Sequence, residues 1–145
     1  MTNKLGYFND WFALTINNWQ LTIILMAEHN DFGKQSEEEA VQYLVGLGYT
    51  ILERNYYWQS AEIDIIAQYE DMLVIVEVKS RRSAYYGEPY SFVSPHKIQL
   101  LAKATNHYIK THNLDLEVRF DIISIVKNDA EYHLEHIEDA FFPFS

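Results

Sequence analysis

The 145-residue chain contains no cysteine. That excludes disulfides, thiolate zinc sites and cysteine nucleophiles, and it fits a reducing compartment, so the cytoplasm is the expected location. Positive charge is scarce: 11 Lys and Arg face 21 Asp and Glu, a formal net charge of −10. A protein that coats nucleic acid without selectivity does not carry that sign. There is no glycine-rich phosphate loop, no internal repeat and no low-complexity linker. Long apolar runs are also missing. The run "LTIILMA" near the N-terminus is far too short to span a bilayer, so no membrane partner is expected.

What is present suffices for one domain. Chains of about 100–200 residues usually form one, and a 48% hydrophobic content supplies its core. The first 25 residues, "MTNKLGYFNDWFALTINNWQLTIIL", stand apart, with one Lys, one Asp and no clean period. The preferred reading makes Met26 the natural start and residues 1–25 an over-extended leader, leaving 26–145 as a single domain. An amphipathic extension ranks second. A secretory signal ranks last, because Lys4 alone is a weak basic region and no small-x-small cleavage site follows.

The few cations are concentrated. Between Val78 and His112 lie Lys79, Arg81, Arg82, Lys97, Lys103 and Lys110 against one acid, Glu88. A local balance of +5 in so acidic a chain marks this stretch as the one that would meet an anion.

Periodicity predicts the elements. Residues 33–49 read as a helix with Gly33 and Ser36 near its start, Gly48 as its stop, and an apolar stripe of Ala40, Val41, Leu44 and Leu47. At 100° per residue Glu37 falls inside that stripe, Glu38 at its margin and Glu39 opposite. Strands are predicted over 50–58, 61–68 and 72–80. Alternation sets Glu62, Asp64 and Ile66 on one face of the second strand, and Leu73, Ile75, Glu77 and Lys79 on one face of the third. A second helix opens with Ser94 as N-cap and Pro95 in its first position and runs to about His112. Residues 117–127 form a fourth strand, and 131–142 a last strand or ragged tail.

The telling segment is "LVIVEVKSRR" (73–82). A β-branched core strand carries Glu77 and Lys79 at its end, where charge is costly. The short turn after the second strand folds Asp64 back opposite residues 76–78. Two adjacent carboxylates repel unless a proton or cation separates them. Mg²⁺ or Mn²⁺ suits such a place, on Asp64, Glu77 and the Val78 carbonyl. Lys79, on the face of Glu77, could hold an attacking water or stabilise charge on a phosphate, and Glu37 could complete the carboxylate cluster. The plainer alternative is a solvated Glu–Lys pair.

The segments "GKQSEEEAVQYLVGLGYTILERN", "AEIDIIA", "VIVEVKSR", "YYGEPYSFVSPHKIQLLAKATNHYI" and "RFDIISI", in this order, resemble the YraN family of bacterial proteins. That family is a branch of the restriction-endonuclease-like, PD-(D/E)xK nuclease superfamily. The resemblance runs from about Phe32 to "HIEDAF". It implies a mixed central sheet flanked by helices in the order α-β-β-β-α-β. It further implies a Mg²⁺-dependent endonuclease with metal-binding acids at Asp64 and Glu77, a catalytic lysine at Lys79, and the additional helix glutamate of Holliday-junction resolvases at Glu37. Ala61 stands where the family usually has Gly, and Ser36 where it has Gly or Ala; neither departure removes a ligand.

Lys97 is similarly placed to a family lysine and is a candidate phosphate contact; a solvated helix charge is the alternative. Arg81 and Arg82 would clamp a nucleic-acid backbone or guard a strand edge, and Lys103 lies on the basic flank of the second helix. Tyr85, Tyr86, Tyr90 and Phe92 would stack on bases or close a loop over the core. His107 with His112, and His133 with His136, are poorly spaced for zinc, and Asp121 is read as bonding a local backbone group. "FFPF" at the end is a packed tail or a dimer contact. The expected substrate is DNA in branched or other non-duplex form, cut by a homodimer or a partner-bound monomer. Two rivals remain: an inactive nucleic-acid-binding module of the same fold, and a protein-interaction domain.

Overall fold

The computed structural model describes residues 18–82 and 93–143. Tyr85, Tyr86, Tyr90 and Phe92, and most of the leader, lie outside the described residues. The element order is α1 (Asn18–Gly46), β1 (Thr50–Trp58), β2 (Ala61–Tyr69), β3 (Met72–Arg81), α2 (Pro95–His112), β4 (Glu117–Lys127) and β5 (Tyr132–Ile137). The chain divides into two compact units, one ending at Gly33 and one beginning at Lys34.

Helix α1 starts well before the predicted position. Gly33 lies inside it, with open space where a Cβ would project. A single glycine inside a helix costs it only about 1 kcal/mol, too little to end one. In the first unit the helix exposes Trp19, Leu21, Ile23, Ile24, Leu25 and Met26. No helix among the described residues is long and apolar enough to cross a membrane.

The second unit is a five-stranded mixed sheet in sequence order, β1-β2-β3-β4-β5. Only β3 and β4 run parallel, and α2 is the crossover that a parallel connection requires. The fold is the expected α-β-β-β-α-β with one added edge strand. The sheet is covered on both faces, which is why β3 and β4 are nearly continuous in apolar residues. On one side Ala40 and Leu44 of α1 pack with Ile65, Ala67, Val74, Val76, Ile123 and Ile125. On the other, Leu101, Ala104 and Tyr108 of α2 pack with Ile63, Ile66, Leu73, Ile75, Phe120 and Ile122.

The α1 stripe is Ser36–Ala40–Leu44, all buried, while Leu47 is exposed at 48%. The helix ends at Gly46 and Gly48 turns the chain at φ 91°, so Leu47 leaves the helical period that would have buried it. Helix α2 keeps its predicted cap: the Ser94 hydroxyl accepts from the Lys97 N–H at 3.2 Å, and Pro95 takes the first position.

Candidate metal and phosphate site

The site begins where β2 and β3 part. Their antiparallel pairing runs from Tyr69↔Met72 to Ile65↔Val76 and stops there. Continued by one step it would set Asp64 opposite Glu77. Instead the Asp64 carboxylate enters the gap, and Oδ2 accepts a hydrogen bond from the Val78 main-chain N–H at 2.7 Å. The side chain thereby satisfies a donor that the diverging strand has abandoned.

Glu77 is 3% exposed. It lies on the α2 side of β3, in step with Leu73 and Ile75. Lys79, two residues on, donates to its Oε1 at 2.7 Å. Lys97, in the first turn of α2, brings its ammonium to 3.2 Å from Oε2 and donates to the Glu62 carbonyl at 3.1 Å. The Lys97 approach is an ion pair without hydrogen-bond alignment, since Glu77 Oε2 has no hydrogen-bond partner. A buried carboxylate is thus held between two ammonium groups.

Asp64 is the perturbed acid. Burial of its carboxyl and then the charge of Glu77 push its pKa from 3.8 up to about 7, against the opposing pull of the Val78 N–H and Lys97. Glu37 adds to this through its charge. Among the described residues, however, no three His, Asp or Glu side chains converge as a metal cluster. Glu37 is half-buried and acts on Asp64 from a distance, so it does not form the expected three-acid set.

The other acidic neighbours also have partners. Glu38 pairs with Arg54 at 2.8 Å. Glu39, expected on the outer side of α1, reaches Lys127 at 2.6 Å, because β4 extends beneath that flank of the helix.

The remaining candidates are dispersed. Arg81 is half-buried at the end of β3; Arg82 is exposed, and its carbonyl accepts from Asn128 Nδ2 at 2.8 Å. Lys103 is exposed on α2. Asp121 does accept from a backbone group, the Asp139 N–H at 3.0 Å, but also binds Arg119 and His136. His107 faces Tyr56 and Trp58, and Phe141 packs against Phe120.

Two residues near the site went unnoticed in the pattern. Tyr57 is 66% exposed, and its hydroxyl donates to Glu62 Oε1. Its pKa is raised by that bond, with added influence from the charges of Glu37 and Asp64. Asn55 was passed over as one more residue of β1, although Asn inside a β pattern is itself a signal.

A buried acid, Glu77, a half-buried one, Asp64, and two lysines against Glu77 are the groups that meet here. Comparison with known proteins bears on which family arranges them so. The sequence profile described as "Uncharacterised protein family UPF0102" matches residues 36–125. The chain belongs to the UPF0102 family. The UPF0102 protein of Flavobacterium psychrophilum is 57% identical over 119 residues, covering 82% of this chain and all of that protein. Those of Christiangramia forsetii and Phocaeicola vulgatus are 55% and 44% identical, covering 82% and 81% of this chain and 100% and 98% of their own lengths. These results bear out the YraN resemblance. Glu37, Asp64, Glu77, Lys79, Lys97 and Lys103 all fall inside the UPF0102 match, whereas residues 18–35 of α1 precede it.

Proposed function

We propose that the chain is a metal-dependent phosphodiesterase that cuts DNA in branched or other non-duplex form. The observation that carries this reading is the placing of half-buried Asp64 on β2 near buried Glu77 on β3, where the Glu77 charge helps raise the Asp64 pKa, with Lys79 2.7 Å from Glu77. A structural ion pair requires one acid and one base. Here a second acid is set against the first, at a cost visible in its raised pKa, and such an arrangement is favoured at working sites.

The residues fit a hard divalent ion. Asp64, Glu77 and the Val78 carbonyl would hold Mg²⁺ or Mn²⁺, and Glu77 Oε2 is a buried oxygen without a hydrogen bond, from which the ion would have to displace only the Lys97 ammonium at 3.2 Å. When bound, the ion would supply Lewis-acid polarisation of a phosphate oxygen and a more acidic water.

The chain's own groups do the rest. Lys79 directs its ammonium to the site and can hold the attacking water or a non-bridging phosphate oxygen. Lys97, fixed by the Ser94 cap, brings a second positive charge from α2. Asp64, with its pKa near 7, is poised to exchange a proton at neutral pH until a cation fixes it in the ionised form. Glu37 contributes negative charge that disfavours further carboxylate but favours a cation. Arg81, Arg82 and Lys103 add positive charge that a nucleic-acid backbone would meet.

The test is a cleavage panel of flaps, four-way junctions, single strands, duplex and RNA with Mg²⁺ or Mn²⁺, run beside Asp64→Ala and Lys79→Ala. Cleavage of a branched substrate that either variant reduces about 100-fold or more, with an unchanged circular dichroism spectrum, supports the reading. Salt-sensitive binding without cleavage by the wild type would point to the inactive binding module. No binding at all would leave the interaction domain.

A further inference from the structure

Five non-glycine residues among those described have positive φ: Asn55, Gln59, Glu70, Asn113 and Asp139. Four of them have ordinary reasons. Gln59 and Glu70 lie in the turns after β1 and β2, Asn113 caps α2, and Asp139 follows β5. Asn55 alone lies inside a strand, at φ 50°. Its residue is exposed, so the conformation is not the by-product of a buried side chain seeking a partner.

The conformation has a visible consequence. Arg54 and Tyr56 are two apart and in a regular strand would share a face. Arg54 pairs with Ile65, which packs on the α1 side; Tyr56 pairs with Ile63, which packs on the α2 side. Both strands therefore change face between those two pairs. The intervening residues are Asn55 on β1 and Asp64 on β2, and the ladder skips them. A left-handed residue is what turns a strand over within one step, and Asn accepts that region far more readily than β-branched residues. The turnover lies in β1, opposite the point where Asp64 leaves both sheet faces to meet the Val78 N–H.

We infer that Asn55 is a positioning residue for Asp64, its left-handed backbone turning the β1–β2 hairpin over so that the carboxylate enters the gap between β2 and β3. Without the turnover, Asp64 would stay in step with Ile66 and point to one face of the sheet. The use made of that carboxylate rests on the function proposed above; its placement does not.

The experiment separates the two. In the full-length, metal-free protein, hydrogen exchange at the Val78 amide reports the Asp64 contact, and Asp64→Ala defines the value when it is lost. Asn55→Gly, which keeps positive φ accessible, should leave Val78 exchange within about twofold of wild type. Asn55→Val should speed it at least tenfold, towards the Asp64→Ala value, while amides of α2 and β4 stay protected. Asn55→Ala should fall between, and it decides the matter if the Val variant does not fold. Mn²⁺ titration of the same proteins should follow the same order.

Unchanged Val78 protection in Asn55→Ala and Asn55→Val would overturn the inference, as would equal loss in Asn55→Gly. Loss in the expected order in a protein that binds no Mn²⁺ would uphold the positioning role and sink the phosphodiesterase reading instead.

Discussion

The ammonium of Lys97 lies 3.2 Å from Oε2 of Glu77, across the space between the first turn of α2 and the end of β3. With Lys79 on the other oxygen, a buried carboxylate proposed as a metal ligand is already neutralised by the protein itself. A divalent ion must therefore compete with Lys97 for Oε2. Lys97→Met should destabilise the metal-free protein by about 1–2 kcal/mol, less than the full loss from breaking a buried pair because the Lys97 side chain is 29% exposed. It should also bind Mn²⁺ more tightly. Thermal melts across a Mn²⁺ series check both, through a lower starting Tm and a larger metal-dependent rise. A smaller rise than in the wild type would mean that Lys97 helps rather than opposes the ion.

Asp64 links stability and metal binding to pH. Its folded pKa of about 7 lies above its ordinary 3.8, so between those values the folded state holds a proton that the unfolded state has lost. The contribution is fully present below pH 4 and disappears as pH rises through 7. The stabilisation therefore lies on the acid side of that window and falls away as pH rises through it. Metal-free wild type should lose stability from pH 4 to pH 7 relative to Asp64→Asn, which cannot titrate; urea melts at intervals measure the difference. Metal binding must expel the same proton. Mn²⁺ affinity should therefore weaken about tenfold per unit as pH falls below 7, and calorimetry in buffers of different ionisation heat should register proton release. Parallel stability curves for the two proteins would refute the assignment.

The hairpin that builds this site was legible because an antiparallel register is set by its turn. A turn at residues 70 and 71 leaves little choice but to bring residue 64 opposite 77. The cap on α2 was equally legible, since Ser94 and Pro95 are local signals whose effect does not wait on the rest of the fold. The face of Asp64 was not. Period-two counting puts Asp64 with Ile66, and it fails because the chain turns over at Asn55, nine positions away in sequence and adjacent only once the strands pair. Lys97 on Glu77 was unreadable for a similar reason: the offset of α2 over the sheet follows from packing Leu101, Ala104 and Tyr108 against β2 and β3, and spacing does not encode it. Leu47 was misplaced because a helical stripe says nothing of the residue at which the helix stops.

Asp121 shows a second buried charge serving a different end. It is fully buried and accepts from Arg119 Nε at 2.9 Å, Arg119 Nη2 at 2.8 Å, His136 Nε2 at 2.8 Å and the Asp139 N–H at 3.0 Å. Arg119 also donates to the Tyr49 hydroxyl at 2.7 Å. The network ties β4 to the edge strand β5 and to the turn after α1. Burial alone would raise the Asp121 pKa, but the bonds from His136 and Arg119 outweigh it and hold the carboxyl below its ordinary 3.8. Asp121→Ala removes the acid shared by Arg119 and His136, whose side chains are 12% and 4% exposed, and leaves Arg119 with Glu138 at 3.2 Å, so it should cost about 3 kcal/mol, the low end for a broken buried pair. The sign of the pH dependence is opposite to that of Asp64. A depressed folded pKa stabilises above pH 4 and loses its effect as pH falls through the folded value, so the gap between wild type and Asp121→Ala should be full at pH 6 and shrink below pH 3. Urea melts at the two pH values measure it. Because the network lies on the α1 side of β4, away from the face that carries Glu77 and Lys79, the refolded variant should bind Mn²⁺ within about twofold of wild type; a loss as large as that of Asp64→Ala would make Asp121 part of the site rather than a clamp on the sheet's edge.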